Sequence, residues 1–262
     1  MGIEVKSITT KRSTMKYFVF GEGHKNFILV PGVGIRSIIL SADEVAAYYK
    51  PFHDDYKIYV FDIREELPEK YSIDDMMEDL YEAITALGIK EAYFNGCSMG
   101  GMIVQRMEIK HPDVVIKAVL SSTIYTISEQ AKEVITSWRN MTAAGELKKL
   151  AEQSCKQVYT KEFYEKFYDY LMEYHVNANI EDARRFIVQL NAILDYDNKE
   201  ISETLPETLV VTAKGDQTFS YTESVDMAEK IGCEVLIYEG YSHAVYDEAP
   251  DYLEKVKEFF KF

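Results

Sequence analysis

Apolar residues in this chain fall into short runs separated by longer stripes. Ile3 to Ile8 and Met15 to Phe20 each alternate enough to predict an antiparallel strand pair at the start. Phe27-Ile28-Leu29-Val30 is apolar throughout, the pattern of a strand covered on both faces, and it runs into a loop at Pro31-Gly32-Val33-Gly34. Similar runs recur at Lys57–Phe61, Ala92–Phe94, Val114–Leu120, Leu209–Val211 and Val235–Ile237. Helical stripes lie between them. Ser72 with Asp75 three residues on reads as an N-cap, Met76, Leu80, Ile84 and Leu87 form one face, and Gly88 closes the helix. A second helix follows from Gly101 to Met107 and stops before His111-Pro112. Strands alternating with helices at this spacing predict an α/β class with a mainly parallel central sheet flanked by helices.

After the sixth strand the rhythm breaks. No proline occurs between Pro112 and Pro206, and from about Ser128 to Leu194 the pattern is helical. Trp138 and Met141, Leu147 and Leu150, Phe163, Phe167 and Leu171, and Phe186, Leu190 and Ile193 all fall at helix spacing. The expected organisation is therefore a core of residues 1–122 and 205–262 interrupted by a helical lid at 123–204.

A chain of 262 residues buries enough surface to need no disulfide or metal staple. Its three cysteines, Cys97, Cys155 and Cys233, lack metal-ligand spacing and suggest a reducing compartment. With neither a signal peptide nor an 18-residue apolar span, the expected location is cytoplasmic. A net charge of −15 argues against nucleic acid and against an anionic membrane surface as partners.

The chemistry gathers at strand ends. Gly96-Cys97-Ser98-Met99-Gly100 lies between a predicted strand and a helix, the sharp turn that lifts a serine hydroxyl out of a sheet's edge. Asp216 follows the Leu209–Val211 strand and His243 follows Val235–Ile237, so Ser98, Asp216 and His243 are expected on one edge. Asp226 and Asp247 are less well placed rivals for the acid. His24, His53, His111 and His175 fit no catalytic position. Cys97 is expected to turn away from substrate as a small buried hydrophobe.

These residues, with Pro31-Gly32-Val33-Gly34, Asp62-Ile63-Arg64, Gly101, Gly215, Glu248 and Pro250, resemble the α/β-hydrolase superfamily, in particular its lid-bearing esterases, lipases and C–C hydrolases. Pro31 stands where the family often has histidine, and Ala213 where it usually has glycine. The resemblance implies Ser98 as nucleophile, His243 as base and Asp216 as its orienting acid. It also implies an oxyanion hole from the backbone N–H groups of Val33 and Met99. The expected reaction is hydrolysis of a carboxylic ester with a small or medium apolar acyl group, with no metal or organic cofactor. C–C or thioester hydrolysis, and a ligand-binding sensor that keeps the three residues, are the alternatives. Lid aromatics (Tyr125, Tyr159, Phe163, Tyr164, Phe167, Tyr168, Tyr170, Tyr174 and Phe186) imply an apolar pocket with phenol hydroxyls in reach. A small apolar ester-like molecule is the expected partner, and a homodimer is left open.

Overall fold

The computed structural model of the protein describes residues 2–202 and 205–261. Eight strands form one sheet: β1 Val5–Thr9, β2 Thr14–Phe20, β3 Lys25–Val30, β4 Tyr56–Phe61, β5 Ala92–Cys97, β6 Val115–Ser121, β7 Glu207–Ala213 and β8 Glu234–Tyr238, in the order β1-β2-β4-β3-β5-β6-β7-β8. β2 runs antiparallel to both of its neighbours, and every pair from β4 through β8 is parallel. The fold class is the one expected from the sequence.

Eleven α-helices accompany the sheet among the described residues. Four belong to its first half or its centre: α1 Ala42–Tyr48, α2 Ile73–Ala86, α3 Met99–Lys110 and, after β6, α4 Glu129–Ala143. Four more follow before β7: α5 Leu147–Val158, α6 Lys161–Lys166, α7 Tyr168–Val176 and α8 Ile180–Leu194. The last three are α9 Tyr221–Ile231, α10 Val245–Glu248 and α11 Tyr252–Lys261.

α2 forms where the sequence places it. The Ser72 hydroxyl accepts from the Asp75 N–H at 3.1 Å, and the Asp75 carboxylate accepts from the Ser72 N–H at 3.1 Å, which satisfies two of the helix's open donors. α1 has no counterpart in the sequence reading. It is only seven residues long, too short for its periodicity to stand out, and is held by burying Ala42 and Ala46. The segment from Ser128 to Leu194 is helical, as its pattern predicts, and divides into five helices. The first break falls at Gly145, whose φ of +72° suits a residue without Cβ.

The core lies on both faces of the sheet. On one, α2, α3 and α9 pack against Ile28, Phe94 and Leu120. On the other, Phe27 meets Phe52, Tyr56 and Phe260 at ring-centroid separations of 5.3, 5.9 and 5.3 Å. Each such ring contributes about 1.5–3 kcal/mol of burial.

The helices between β6 and β7 are clasped to the rest of the chain by polar contacts. Arg185 on α8 pairs with Asp62 at 3.1 Å and donates to the Arg64 carbonyl at 2.9 Å. The Tyr174 hydroxyl donates to the Arg36 carbonyl at 2.9 Å, and the Ala244 N–H donates to the Val158 carbonyl at 2.9 Å. Thr160 bonds Glu248 through both its N–H and its hydroxyl. The boundary expected between residues 204 and 205 abuts residues 203 and 204, outside the described residues.

Candidate active site

The carboxyl ends of β3, β5, β7 and β8 share one edge of the parallel sheet, where ligands of open α/β sheets sit. β5 is central, and Ser98 follows its last residue with φ 54° and ψ −119°. A side chain in that region costs about 1–3 kcal/mol, so the surroundings must hold it there. They do so by backbone bonds. Ser98 N donates to the Ser121 carbonyl at 2.8 Å, while its own carbonyl accepts from the Thr123 hydroxyl at 2.8 Å and the Gly101 N–H at 2.9 Å. Close approach explains the glycines. A Cβ at Gly100 would lie 2.0 Å from the Val30 carbonyl oxygen, and one at Gly96 would lie 2.6 Å from the Gly100 oxygen.

Asp216 and His243 are brought together by the loops after β7 and β8. Gly215 N donates to the Tyr241 carbonyl at 3.1 Å, and the Ser242 hydroxyl donates to the Gly215 carbonyl at 3.2 Å. His243 Nδ1 then lies 2.8 Å from Asp216 Oδ2, with both residues buried. The second carboxylate oxygen accepts from the backbone N–H groups of Thr218 and Phe219 at 2.8 and 2.9 Å. The carboxylate is therefore fixed on one side by two donors and presents its other oxygen to the imidazole. Phe219 stands edge-on to the His243 ring at 5.3 Å. No hydrogen bond joins Ser98 Oγ to His243 in this structure.

A cavity of about 550 Å³ opens beside the serine turn. Gly32, Val33, Cys97 and Met99 line it, and the Cβ position of Gly32 lies 3.2 Å from Ser98 Cβ. Among the described residues, neither the Val33 nor the Met99 N–H is engaged by another group. Of the nine aromatics singled out from the sequence, Tyr159, Phe163, Phe167, Tyr170, Tyr174 and Phe186 wall this cavity. Tyr125 instead donates to Asp226 on α9 at 2.7 Å, while the carboxylate that His243 meets is that of Asp216.

Cys97 is buried, as expected of a small hydrophobe, and the residue also lines the cavity. The cavity also reaches Tyr48, Tyr246 and Asp247, which surround Cys97. Burial and the nearby Asp247 push its thiol well up, so it stays protonated.

Two cavity residues escaped the sequence reading as site residues, and a third was weighed for another role. Arg36 follows the Gly32–Gly34 loop by two residues, and nothing in its local sequence marks it. His175 Nδ1 donates to the Leu171 carbonyl of its own helix at 2.8 Å, and burial holds its imidazole below the ordinary value. Asp247, considered only as a rival acid, lies on α10 four residues after His243. Its carboxyl is pushed up to about 7, chiefly by burial and then by Glu248, against the opposing effect of His243.

Asp62 and Arg64 brace the loop after β4. Asp62 accepts from the Ser37 hydroxyl at 2.6 Å and the Ile63 N–H at 2.9 Å, and Arg64 pairs with buried Asp79 at 3.4 Å. Among the described residues no group of three or more His, Cys, Asp or Glu side chains is placed to hold a metal ion. No helix there is long and apolar enough to cross a membrane.

A mainly parallel sheet with a strained serine turn on its central strand and a buried histidine–aspartate pair at the same edge defines the class of α/β hydrolases. The chain belongs to the α/β-hydrolase fold family, which it matches over residues 48–250. It is 21% identical to the RutD protein of Pantoea ananatis over 189 residues, 71% of this chain and 69% of that one; that protein's name assigns it provisionally to carbamate hydrolysis. Among solved structures, an α/β-hydrolase enzyme from a Medee basin deep-sea metagenome library superposes with a TM-score of 0.88 at 18% identity, covering 98% of each chain. The enol-lactonase of Burkholderia xenovorans LB400 superposes with a TM-score of 0.84 at 19% identity, covering 98% of this chain and all (100%) of that one.

Proposed function

We propose that the protein is a serine hydrolase that cleaves carboxylic esters with a small or medium apolar acyl group. The observation that carries this reading is the strained Ser98 turn beside an apolar cavity, on the same sheet edge as the buried His243–Asp216 pair. Ser98 Oγ is too weak a nucleophile without a base, and His243 Nε2 takes its proton as the hydroxyl attacks the ester carbonyl. Asp216 holds Nδ1 protonated, which leaves Nε2 free to accept. The Ser98–His243 contact closes in the substrate complex, since such bonds are commonly long before substrate binds. Negative charge develops on the former carbonyl oxygen, and the unspent N–H groups of Val33 and Met99 receive it. His243 returns its proton to the leaving alcohol, and water then repeats the sequence on the acyl-enzyme. The helices of 123–204 serve as a lid over the core of 1–122 and 205–262.

The test is turnover of an ester panel of rising acyl length by wild type and Ser98→Ala side by side. Turnover by wild type alone supports the reading, and its length optimum sizes the cavity. Equal turnover by both sinks Ser98 as nucleophile. The likeness to RutD makes an alkyl carbamate a useful member of the panel, because the same attack would cleave it.

A further inference from the structure

We propose that Arg36 anchors a carboxylate on the substrate, so that the enzyme takes esters bearing one ionised carboxyl group beside the scissile bond. The inference rests on the hydrolase reading above and names its substrate class.

Arg36 lines the cavity two residues beyond the loop that supplies the Val33 N–H. Its Nε is buried and has no hydrogen-bond partner. No carboxylate of the described residues lies within ion-pair distance of its guanidinium. Buried donors in native proteins are almost always satisfied, and an exception calls for an explanation such as a missing ligand.

The other cavity arginine sharpens the contrast. Arg185 spends its guanidinium on the Asp62 carboxylate and on the carbonyls of Ile63, Arg64 and Glu65. It is a structural clasp, whereas Arg36 is left open.

Arg36 is also pre-positioned. The Tyr174 hydroxyl accepts from the Arg36 N–H at 3.3 Å and donates to its carbonyl at 2.9 Å. The guanidinium carbon lies 5.7 Å from the centroid of the same tyrosine ring, itself a wall of the cavity. The two hydrogen bonds hold the Arg36 backbone and the ring contact restrains the guanidinium, whose planar fork of donors matches a carboxylate in two parallel bonds.

The remaining cavity charges limit what fits. Asp62 is matched by Arg185, while Glu44 and Asp247 are acidic and, among the described residues, have no cation within 4 Å. A polyanion would meet them, but a single carboxylate placed at Arg36 would not.

The experiment compares monoethyl succinate, glutarate and adipate with the ethyl esters of butyric, pentanoic and hexanoic acids, following acid release by pH-stat. O-butyryl glycolate against ethyl butyrate places the charge on the alcohol side instead. The expected result is a kcat/KM ratio of charged to neutral ester above tenfold for wild type in one of the two series. That ratio falls at least tenfold in Arg36→Met and recovers in part in Arg36→Lys. A wild-type ratio near one, or a ratio unchanged by Arg36→Met, overturns the proposal.

Calorimetric titration of Ser98→Ala with monoethyl glutarate, which carries a single ionised carboxyl group, separates the two readings. Binding that is lost in Ser98→Ala/Arg36→Met, with no ester cleaved by wild type, retains the anion site and removes the esterase reading. Cleavage of neutral esters with no binding of monoethyl glutarate does the reverse. Circular dichroism of each variant guards against misfolding, and Arg36→Gln replaces Arg36→Met if the latter does not fold.

Discussion

Glu108 offers a stability prediction whose sign and size follow from hydrogen-bond geometry. It sits on α3, fully buried, with Oε1 2.6 Å from the Thr208 hydroxyl and Oε2 without a partner. The Thr208 hydroxyl also lies 2.7 Å from the Pro206 carbonyl, which can only accept. One hydroxyl proton cannot serve both oxygens, so Thr208 donates to Pro206 and accepts from a protonated Glu108. Burial favours the same state, pushing the carboxyl from its ordinary 4.5 up to about 8. Between those two pH values the folded chain holds a proton that the unfolded chain has released. The unfolded state binds fewer protons there, so wild-type stability falls as pH rises. At 1.36 kcal/mol per pKa unit the full loss reaches ~5 kcal/mol above pH 8. Glu108→Gln keeps a donor for Thr208 and cannot ionise. Its stability relative to wild type should therefore rise by several kcal/mol between pH 4.5 and 8. Urea unfolding of both proteins at four pH values in that window, followed by circular dichroism, measures the difference. Parallel curves, with an offset that does not change with pH, would refute the protonated glutamate.

Asp216→Asn should lower kcat/KM by ~10⁴-fold with the fold intact. The amide oxygen would keep the Thr218 and Phe219 N–H bonds, which turns the amide NH₂ toward His243 Nδ1 and forces the proton onto Nε2. A loss below tenfold, with unchanged circular dichroism, would remove Asp216 from the orienting role. Gly100→Ala should destabilise the chain by more than ~3 kcal/mol, because the new Cβ would meet the Val30 and Pro31 carbonyl oxygens at 2.0 and 2.6 Å, both rigid backbone. A urea midpoint matching wild type would show that the turn relaxes at little cost.

What the sequence determined by itself was local. Apolar runs located the strands, because a strand covered on both faces has no polar side to display. Ser72 and Asp75 marked the start of α2, because capping bonds span only three residues. Gly96-Cys97-Ser98-Met99-Gly100 marked the strand-to-helix turn, because its steric demands act on immediate neighbours. Chain order placed Ser98, Asp216 and His243 beyond strands of one sheet, since parallel strands all end at the same edge.

Tertiary structure decided what depends on distant partners. The place of β4 between β2 and β3 is set by pairing across the sheet, which no local pattern encodes. The hydrogen bond between Asp216 and His243 requires loops 27 residues apart to meet through Gly215 and Tyr241. Arg36 and Arg185 are the same residue type in sequence, and only packing gave one a carboxylate and left the other open to the cavity. Glu108 reads as an ordinary glutamate until α3 is laid against β7. Desolvation and hydrogen bonding act through whatever the fold places within a few ångströms, and for these residues it places side chains far away in sequence.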